Sequence, residues 1–230
     1  WTFRKAPKFF DVVTYTGDNT RDRQISHNLG SAPGCIIVKR TDSTSYWPVY
    51  HRGLTSNDYY LRLNGTDAEN EDGTMFDAAP TSTHFIIGDQ SNINTSGASY
   101  VAYLFAHNDG DGEFGPTGDQ DIIKCGSYTG NGSLSGPSVD LGFEPQWLLI
   151  KKSTNTRSWI LIDNMRNMSV SSDAYLYANL SNDEVNKTSS EVTPTTTGFK
   201  LTSASEDVNG NDTYIYIAIR RGPMAVPTDA

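Results

Sequence analysis

The acidic run Asp109, Asp111 and Glu113, continued by Asp119 and Asp121, is the stretch with most claim to chemistry. Calcium takes six to eight oxygen ligands, and closely spaced carboxylates on a glycine-rich loop can supply them. The EF-hand order fails, because Phe114 stands where its glycine belongs and Gln120 where its glutamate belongs. The run therefore reads as a solvated acidic linker, and no metal ligand or cofactor is assigned. The four histidines, His27, His51, His84 and His107, form no His-x-x-x-His pair, so zinc has no site by spacing. Serines are plentiful, yet no Gly-x-Ser-x-Gly elbow singles out a nucleophile. A glycosidase needs two facing carboxylates, and the acids here fall in loops. No glycine-rich loop precedes a Lys-Ser/Thr pair to hold phosphate. No catalytic residue is assigned, and the chain is expected not to be an enzyme.

Aromatic side chains are the other candidates, since flat rings offer apolar area to a sugar at low entropy cost. Tyr46 and Tyr59, at loop and strand margins, are the residues assigned to ligand binding; Tyr50, Trp147 and Tyr177 are weaker candidates, with Trp147 expected in the core. Lys39-Arg40 and Lys151-Lys152 end apolar runs before polar loops. They read as solvated strand ends, with an anion site as the sharper alternative.

The elements that must position these groups come in two copies. Leu29-Gly-Ser-Ala-Pro33 leads into Cys35-Ile-Ile-Val38-Lys39, and Leu141-Gly-Phe-Glu-Pro145 leads into Trp147-Leu-Leu-Ile150-Lys151, 112 residues later. Tyr15-Thr-Gly17 precedes the first copy and Tyr128-Thr-Gly130 the second; Trp47 and Trp159 follow at matching distances. Glycine and proline break the ladder before each apolar run, which reads as a central strand buried on both faces. Loops of equal length, 41–46 and 153–158, imply one hairpin geometry used twice. Residues kept in both copies, Tyr15/Tyr128, Trp47/Trp159, Phe85/Phe199 and Tyr100/Tyr214, are best explained by shared packing. Function belongs where the copies differ.

Tyr59, Leu61 and Leu63 alternate with Tyr60, Arg62 and Asn64, the period of a half-buried strand. A single helical turn fits Thr74–Ala78, and a plain turn fits Asn94–Gly97. Turn residues about every dozen positions, with no long helical period, predict about six to eight short strands per copy. The fold expected is all-β: two tandem antiparallel β-sandwich, jelly-roll-like repeats of about 100 residues each. Residues 1–8 align with the final strands of both copies, 100–106 and 214–220, and read as the last strand of a preceding unit. Residues 9–107 are the first repeat, 108–121 a Gly/Asp-rich linker, 122–221 the second repeat and 222–230 a terminal linker.

The composition, 36% hydrophobic and 20% charged, is that of a globular chain. A net charge of −9 makes nucleic acid and anionic membranes poor partners. The longest apolar runs fall far short of the roughly 20 residues a membrane-spanning helix needs. Cys35 and Cys125 occupy non-equivalent repeat positions, which leaves two buried thiols or one bridge between repeats.

The segments WTFRKAPKFFDVVTYTG (1–17), HNLGSAPGCIIVKRTDSTSYWPVYHRG (27–53), YVAYLFAHN (100–108), IIKCGSYTGNGS (122–133), LGFEPQWLLIKK (141–152) and YIYIAIRR (214–221), taken in order, resemble a repeat domain of uncharacterised tailed-phage virion proteins, especially of marine phages, often found with LamG or concanavalin-like modules. That resemblance implies a virion structural protein: a tail fibre, tail spike or appendage displaying loops for host-surface glycan or for neighbouring virion subunits. It transfers no catalytic residue. A capsid-decoration or head-fibre protein and a polysaccharide depolymerase are the alternatives. Trimeric assembly is expected by analogy with phage fibres only.

Overall fold

The computed structural model describes residues 2–168 and 172–222. The chain divides into two compact units, Trp1–His107 and Asn108–Ala230. Both are built from antiparallel strands, the all-β sandwich character that the turn spacing predicts. In unit 1 the strands are β1 (Phe10–Thr16), β2 (Arg23–Ser26), β3 (Pro33–Arg40), β4 (Pro48–His51), β5 (Tyr59–Arg62), β6 (Asn70–Glu71), β7 (His84–Ile87) and β8 (Ser99–Ala106), with one helical turn, α1 (Ser91–Asn94), before the last. A six-stranded sheet runs β1-β8-β3-β4-β5-β6, and β2 pairs with β7 in a second layer.

Unit 2 comprises β9 (Ile123–Thr129), β10 (Ser138–Asp140), β11 (Pro145–Lys152), β12 (Ile160–Asp163), β13 (Ala174–Tyr177), β14 (Val185–Asn186), β15 (Val192–Thr195), β16 (Gly198–Leu201) and β17 (Thr213–Arg220). Its large sheet, read from the first strand, is β9-β17-β11-β12-β13-β14, the same order as in unit 1. A three-stranded layer, β10-β16-β15, faces it. Between the layers lie Tyr128, Leu148, Ile150, Tyr175, Phe199, Leu201, Tyr214 and Ala218. Both large sheets shift register at the same place, between Pro33 and Cys35 and between Pro145 and Trp147. Each proline lacks the N–H that an even ladder needs at that point.

The apolar runs behave as central strands should. Cys35, Ile36, Ile37 and Val38 are all buried, as are Leu148, Leu149 and Ile150. Both cysteines are buried thiols. The loops joining β3 to β4 and β11 to β12 have equal length.

Four local expectations need correction. Residues 2–8 form no strand; Ala6 bridges back to Phe10, and Lys8, at φ 58°, turns the chain. The Trp1 and 223–230 parts of the terminal assignments lie outside the described residues. Thr74–Ala78 is not helical, and the helical turn instead occupies Ser91–Asn94. Tyr60 is buried along with its neighbour Leu61, so burial along β5 does not follow the expected alternation. The acidic 108–121 stretch does not lie free: it clusters with unit 2 and carries a Phe114–Gln120 bridge.

Candidate functional site

Register assigns side chains to sheet faces, because paired residues point the same way and neighbours point oppositely. In unit 1, Val12 opposes Tyr103, Tyr103 opposes Ile37, Ile37 opposes Val49 and Val49 opposes Leu61. Phe10, Phe105, Trp47 and Leu63 fall on that same face by alternation. This is the face turned away from the Tyr15–Phe85 contact that joins the two layers of unit 1. It holds an open groove of about 430 Å³ lined by Thr2, Phe3, Phe10, Val12, Ile37, Trp47, Leu63, Tyr103 and Phe105.

The entry segment completes the groove. Phe3 packs against Phe10 at 5.6 Å and meets Phe105 edge-on at 5.7 Å, while Phe10 and Phe105 lie 5.0 Å apart. Lys8 N–H donates to the Leu29 carbonyl at 2.6 Å, and the Lys5 ammonium bonds the Asp11 carboxylate at 2.6 Å and the Val12 carbonyl at 3.0 Å. Burial pushes the Asp11 carboxyl up, but Lys5 and the N–H groups of Asn28 and Val12 outweigh it and hold the group below its ordinary value. Lys39 Nζ lies 5.5 Å from the Trp47 ring centroid, so one cation borders the groove there. Hydrogen-bonding groups are few in the lining: the Thr2 and Tyr103 hydroxyls and the Trp47 indole.

Tyr46 and Tyr59 are not brought together. Trp47 is on the groove face, so its neighbour Tyr46 starts from the opposite side; it is 47% exposed and stacks under the Arg62 guanidinium at 4.1 Å. Tyr59 shares the groove-face alternation but stands at the far end of β5, its hydroxyl 3.4 Å from Glu71. The nearby Glu71 carboxylate raises its pKa. Tyr50 is buried against Phe76, Trp147 is buried as expected, and Tyr177 is half-buried beside Lys187 and Asp207.

The retained tyrosines form a clamp at one end of each large sheet. Tyr15 stacks on Tyr100 at 5.1 Å, and Tyr128 on Tyr214 at 5.1 Å. Their hydroxyls donate to the Ile93 and Val208 carbonyls, each at 2.7 Å. The next residues, Asn94 and Asn209, are fully buried. Asn94 Oδ1 accepts from Asp18 N–H, and Asn209 Oδ1 from Asn131 N–H, both at 3.0 Å. Gly17 and Gly130 are required here: a Cβ would stand 2.0 Å from the Thr95 carbonyl oxygen and 2.1 Å from that of Gly210. Sequence reasoning missed the asparagines, although Ile93-Asn94 and Val208-Asn209 recur shortly before Tyr100 and Tyr214.

The clamp fixes a loop that differs between units. In unit 2, Ser133 N–H donates to Asn131 Oδ1 and Asn131 Nδ2 to the Ser135 carbonyl, both at 3.1 Å; Asn209 Nδ2 donates to the Ser133 carbonyl at 2.8 Å. At its apex Leu134 is 77% exposed. In unit 1 the corresponding loop carries Arg21, bonded to Asp77.

The remaining candidates are engaged within the fold. Asp121 accepts from Gly110 and Gly112 N–H, at 2.9 and 3.1 Å, and so shapes the acidic loop. Among the described residues no group of three or more His, Cys, Asp or Glu is placed to hold a metal ion. His27 Nδ1 accepts from Leu29 N–H at 3.2 Å; burial lowers its pKa. Lys151 and Lys152 correct the solvated-end expectation. Both are buried, with Lys152 Nζ 2.6 Å from Glu206 and 2.7 Å from Asp212. Lys39 and Arg40 stay half-exposed, Arg40 on Asp42 at 2.6 Å.

A family model described as a domain of unknown function (DUF7483) matches residues 6–223. No curated protein and no solved structure matches the chain.

Proposed function

The chain belongs to this DUF7483 family; we propose that it is a non-catalytic structural module of a tailed-phage virion, part of a tail fibre, spike or related appendage on the particle surface. The phage assignment rests on the ordered motifs from residue 1 to residue 221. The work of the module is contact, and the observation that carries this is the unit 1 groove. Its lining of Phe3, Phe10, Ile37, Leu63 and Phe105 around Trp47 and Tyr103 is suited to apolar protein side chains. A sugar would need more hydrogen-bond partners than such a lining offers, since a desolvated hydroxyl left unpaired costs about 1–3 kcal/mol. A neighbouring virion subunit is therefore the favoured occupant, ahead of host glycan.

Particles made with a Trp47→Ala/Tyr103→Ala chain test this. Immunoblots of purified virions are expected to show the variant chain lost from the particle while circular dichroism of the soluble chain is unchanged. Normal incorporation with lost adsorption to host polysaccharide would transfer the groove to receptor binding. Normal incorporation and normal adsorption would overturn the contact role. Antibody that fails to label wild-type virions would overturn the placement on the particle.

A further inference from the structure

A guanidinium drawn partly out of water calls for a counter-charge. Five arginines of the described residues are half-buried: Arg23, Arg40, Arg62, Arg166 and Arg220. Arg23 meets Asp18 at 3.1 Å, Arg40 meets Asp42 at 2.6 Å, Arg62 meets Asp67 at 3.3 Å, and Arg166 pairs with Asp163. Arg220 alone of the five meets no carboxylate of the described residues. Its hydrogen bond runs from Nη1 to the Asp121 carbonyl at 3.3 Å, and its guanidinium carbon lies 5.8 Å from the Phe143 ring centroid. The ring holds the cation in place without neutralising it, and most of its N–H donors are left for a ligand. Arg220 borders an open pocket of about 320 Å³, lined also by Gly142, Phe143, Glu144, Thr196, Arg221 and Gly222.

The pocket sits where the two layers of unit 2 open, at the end away from the Tyr128–Tyr214 clamp. Gly142, Phe143 and Glu144 lead into β11, Thr196 joins β15 to β16, and Arg220, Arg221 and Gly222 end β17. That strand end is fixed. Arg220 N–H donates to the Ile122 carbonyl at 2.9 Å, and Arg221 N–H to the Glu144 carbonyl at 2.8 Å. The register shift between Pro145 and Trp147 falls beside Arg220, and such a shift re-aims side chains. Unit 1 keeps the shift without the chemistry. Ala106 stands opposite Pro33 where Arg220 stands opposite Pro145, and Ser31 and Ala32 replace Phe143 and Glu144. The pocket lies where the copies differ.

We propose that this pocket binds a sugar acid, with the ligand carboxylate on Arg220 and the ring hydroxyls on Glu144, Thr196 and Arg221. Glu144 pairs with Arg221 through Oε1, which leaves Oε2 to accept from a hydroxyl. A protein carboxylate would satisfy Arg220 but give Glu144 nothing to accept. A doubly charged phosphate would meet repulsion from Glu144 and from unit 2 as a whole, which has nine Lys and Arg against sixteen Asp and Glu. One carboxylate beside several hydroxyls matches both signs in the lining. The site is open, so a single ring binds weakly, and copies displayed together add avidity. This surface is separate from the apolar groove of unit 1 and does not depend on what fills it.

Isothermal titration of the full chain with glucuronate, against glucose as the same ring without the acid, tests this. Glucuronate is expected to bind with a Kd of about 1 mM, and glucose about tenfold or more weakly than that. Arg220→Met, checked for fold by circular dichroism, should abolish the difference. Glu144→Gln, at a half-exposed side chain, should admit inorganic phosphate, which the wild-type chain rejects. Equal binding of glucose and glucuronate overturns the inference, as does an affinity for glucuronate that Arg220→Met leaves unchanged. Phosphate binding the wild type more tightly than glucuronate, or a glutamate-containing peptide binding as tightly, overturns the sugar assignment. A Glu144→Gln chain that still rejects phosphate overturns the part given to Glu144. Trp47→Ala/Tyr103→Ala should leave glucuronate binding intact, so the groove and this pocket fail separately.

Discussion

Trp47 and Trp159 occupy the same position, ahead of the second strand of the same hairpin, and hold the same local bonds. Trp47 N–H donates to Asn64 Oδ1 and Trp159 N–H to Asn179 Oδ1, each at 2.9 Å. Their carbonyls accept from Leu63 and Ala178 N–H. Yet Trp159 is 2% exposed and Trp47 is half-buried at a groove. The residues around them follow suit: Val12 and Tyr103 are half-buried, while their counterparts Cys125 and Ile217 are each 1% exposed. What the units share is the backbone frame, with its prolines, tyrosine stack and buried asparagine. What they do not share is how far the outward sheet face is open. Retention of a residue type thus reports the frame and says little about whether the side chain is available for contact.

The sharpest way to break that comparison is to truncate both tryptophans. Trp159→Ala is expected to cost about 4 kcal/mol, the range for removing a fully buried aromatic ring. Trp47→Ala should cost about 1–2 kcal/mol, because much of its ring is already in contact with water. Urea titrations followed by circular dichroism measure both. Equal costs would mean that the groove closes over Trp47 in solution.

The asparagine clamp predicts the opposite pattern, equality. Asn94 Nδ2 donates to the Thr20 and Gly88 carbonyls at 2.8 and 3.0 Å; Asn209 Nδ2 donates to those of Ser133 and Ser203 at 2.8 and 2.7 Å. Alanine at either position leaves these backbone groups without their amide partner, at about 1–3 kcal/mol for each variant. The same titrations should give matching losses. A gap above about 1 kcal/mol would show that one unit tolerates an unclamped turn, against the equivalence drawn here.

The frame was legible in the sequence because it rests on backbone rules. Gly17 and Gly130 are forced by a close approach, and Pro33 and Pro145 by a missing donor; both kinds of constraint leave the same residue in both copies. The strand assignment of Cys35–Val38 followed from an apolar run too long to alternate. The groove was not legible, because it depends on cross-strand neighbours, Phe10 with Phe105 and Ile37 with Tyr103, that are far apart in the chain. Phe3 joins them only because Lys8 and Ala6 turn residues 2–8 back, where alignment with β8 and β17 suggested a strand. Tyr46 and Tyr59 stand at loop and strand margins, a position that the sequence shows without the register that places them apart. Lys151 and Lys152 misled because solvated strand ends are the rule for lysine. The partners of Lys152, Glu206 and Asp212, come from a segment more than 50 residues away, and Lys151 donates to the Lys152 and Asn155 carbonyls.

Those lysines sharpen the comparison on the alkaline side. Burial disfavours the Lys152 ammonium, but the hydrogen bonds to Asp212 and Glu206 outweigh it and hold its pKa above the ordinary 10.5. A raised folded value means stability that is fully present below 10.5 and lost as pH rises through the folded value. Lys152→Met should cost about 1–2 kcal/mol at neutral pH, moderated because Glu206 is largely in water. It should also remove part of the alkaline loss of stability. Arg40→Met, at the equivalent strand end in unit 1, should change both much less, since the Arg40–Asp42 pair is half-exposed and screened by water. Melting temperatures of the two variants between neutral pH and pH 11 decide it, and a larger effect at Arg40 would reverse the distinction between the strand ends.

The smallest effect concerns the position that carries opposite charges in the two units. Asp11 opposes Leu104, and Lys124 opposes Ala218, at corresponding points of the sheets. Asp11 is buried and accepts from the Val12 and Asn28 N–H groups, each at 2.8 Å; Lys124 reaches Asp109 at 3.4 Å and Asp121 at 3.7 Å. Because the folded Asp11 carboxyl lies below 3.8, its contribution is present above 3.8 and lost as pH falls through the folded value. Asp11→Asn keeps one acceptor oxygen and loses the charge that holds Lys5, so about 1 kcal/mol should disappear at neutral pH. At pH 2, where the wild-type carboxyl is itself taking up its proton, the gap between variant and wild type should narrow. Lys124→Met should show no such narrowing. If Asp11→Asn costs the same at both pH values, its role is packing alone, and the entry segment beside the groove is held by Ala6 and Lys8 without help from charge.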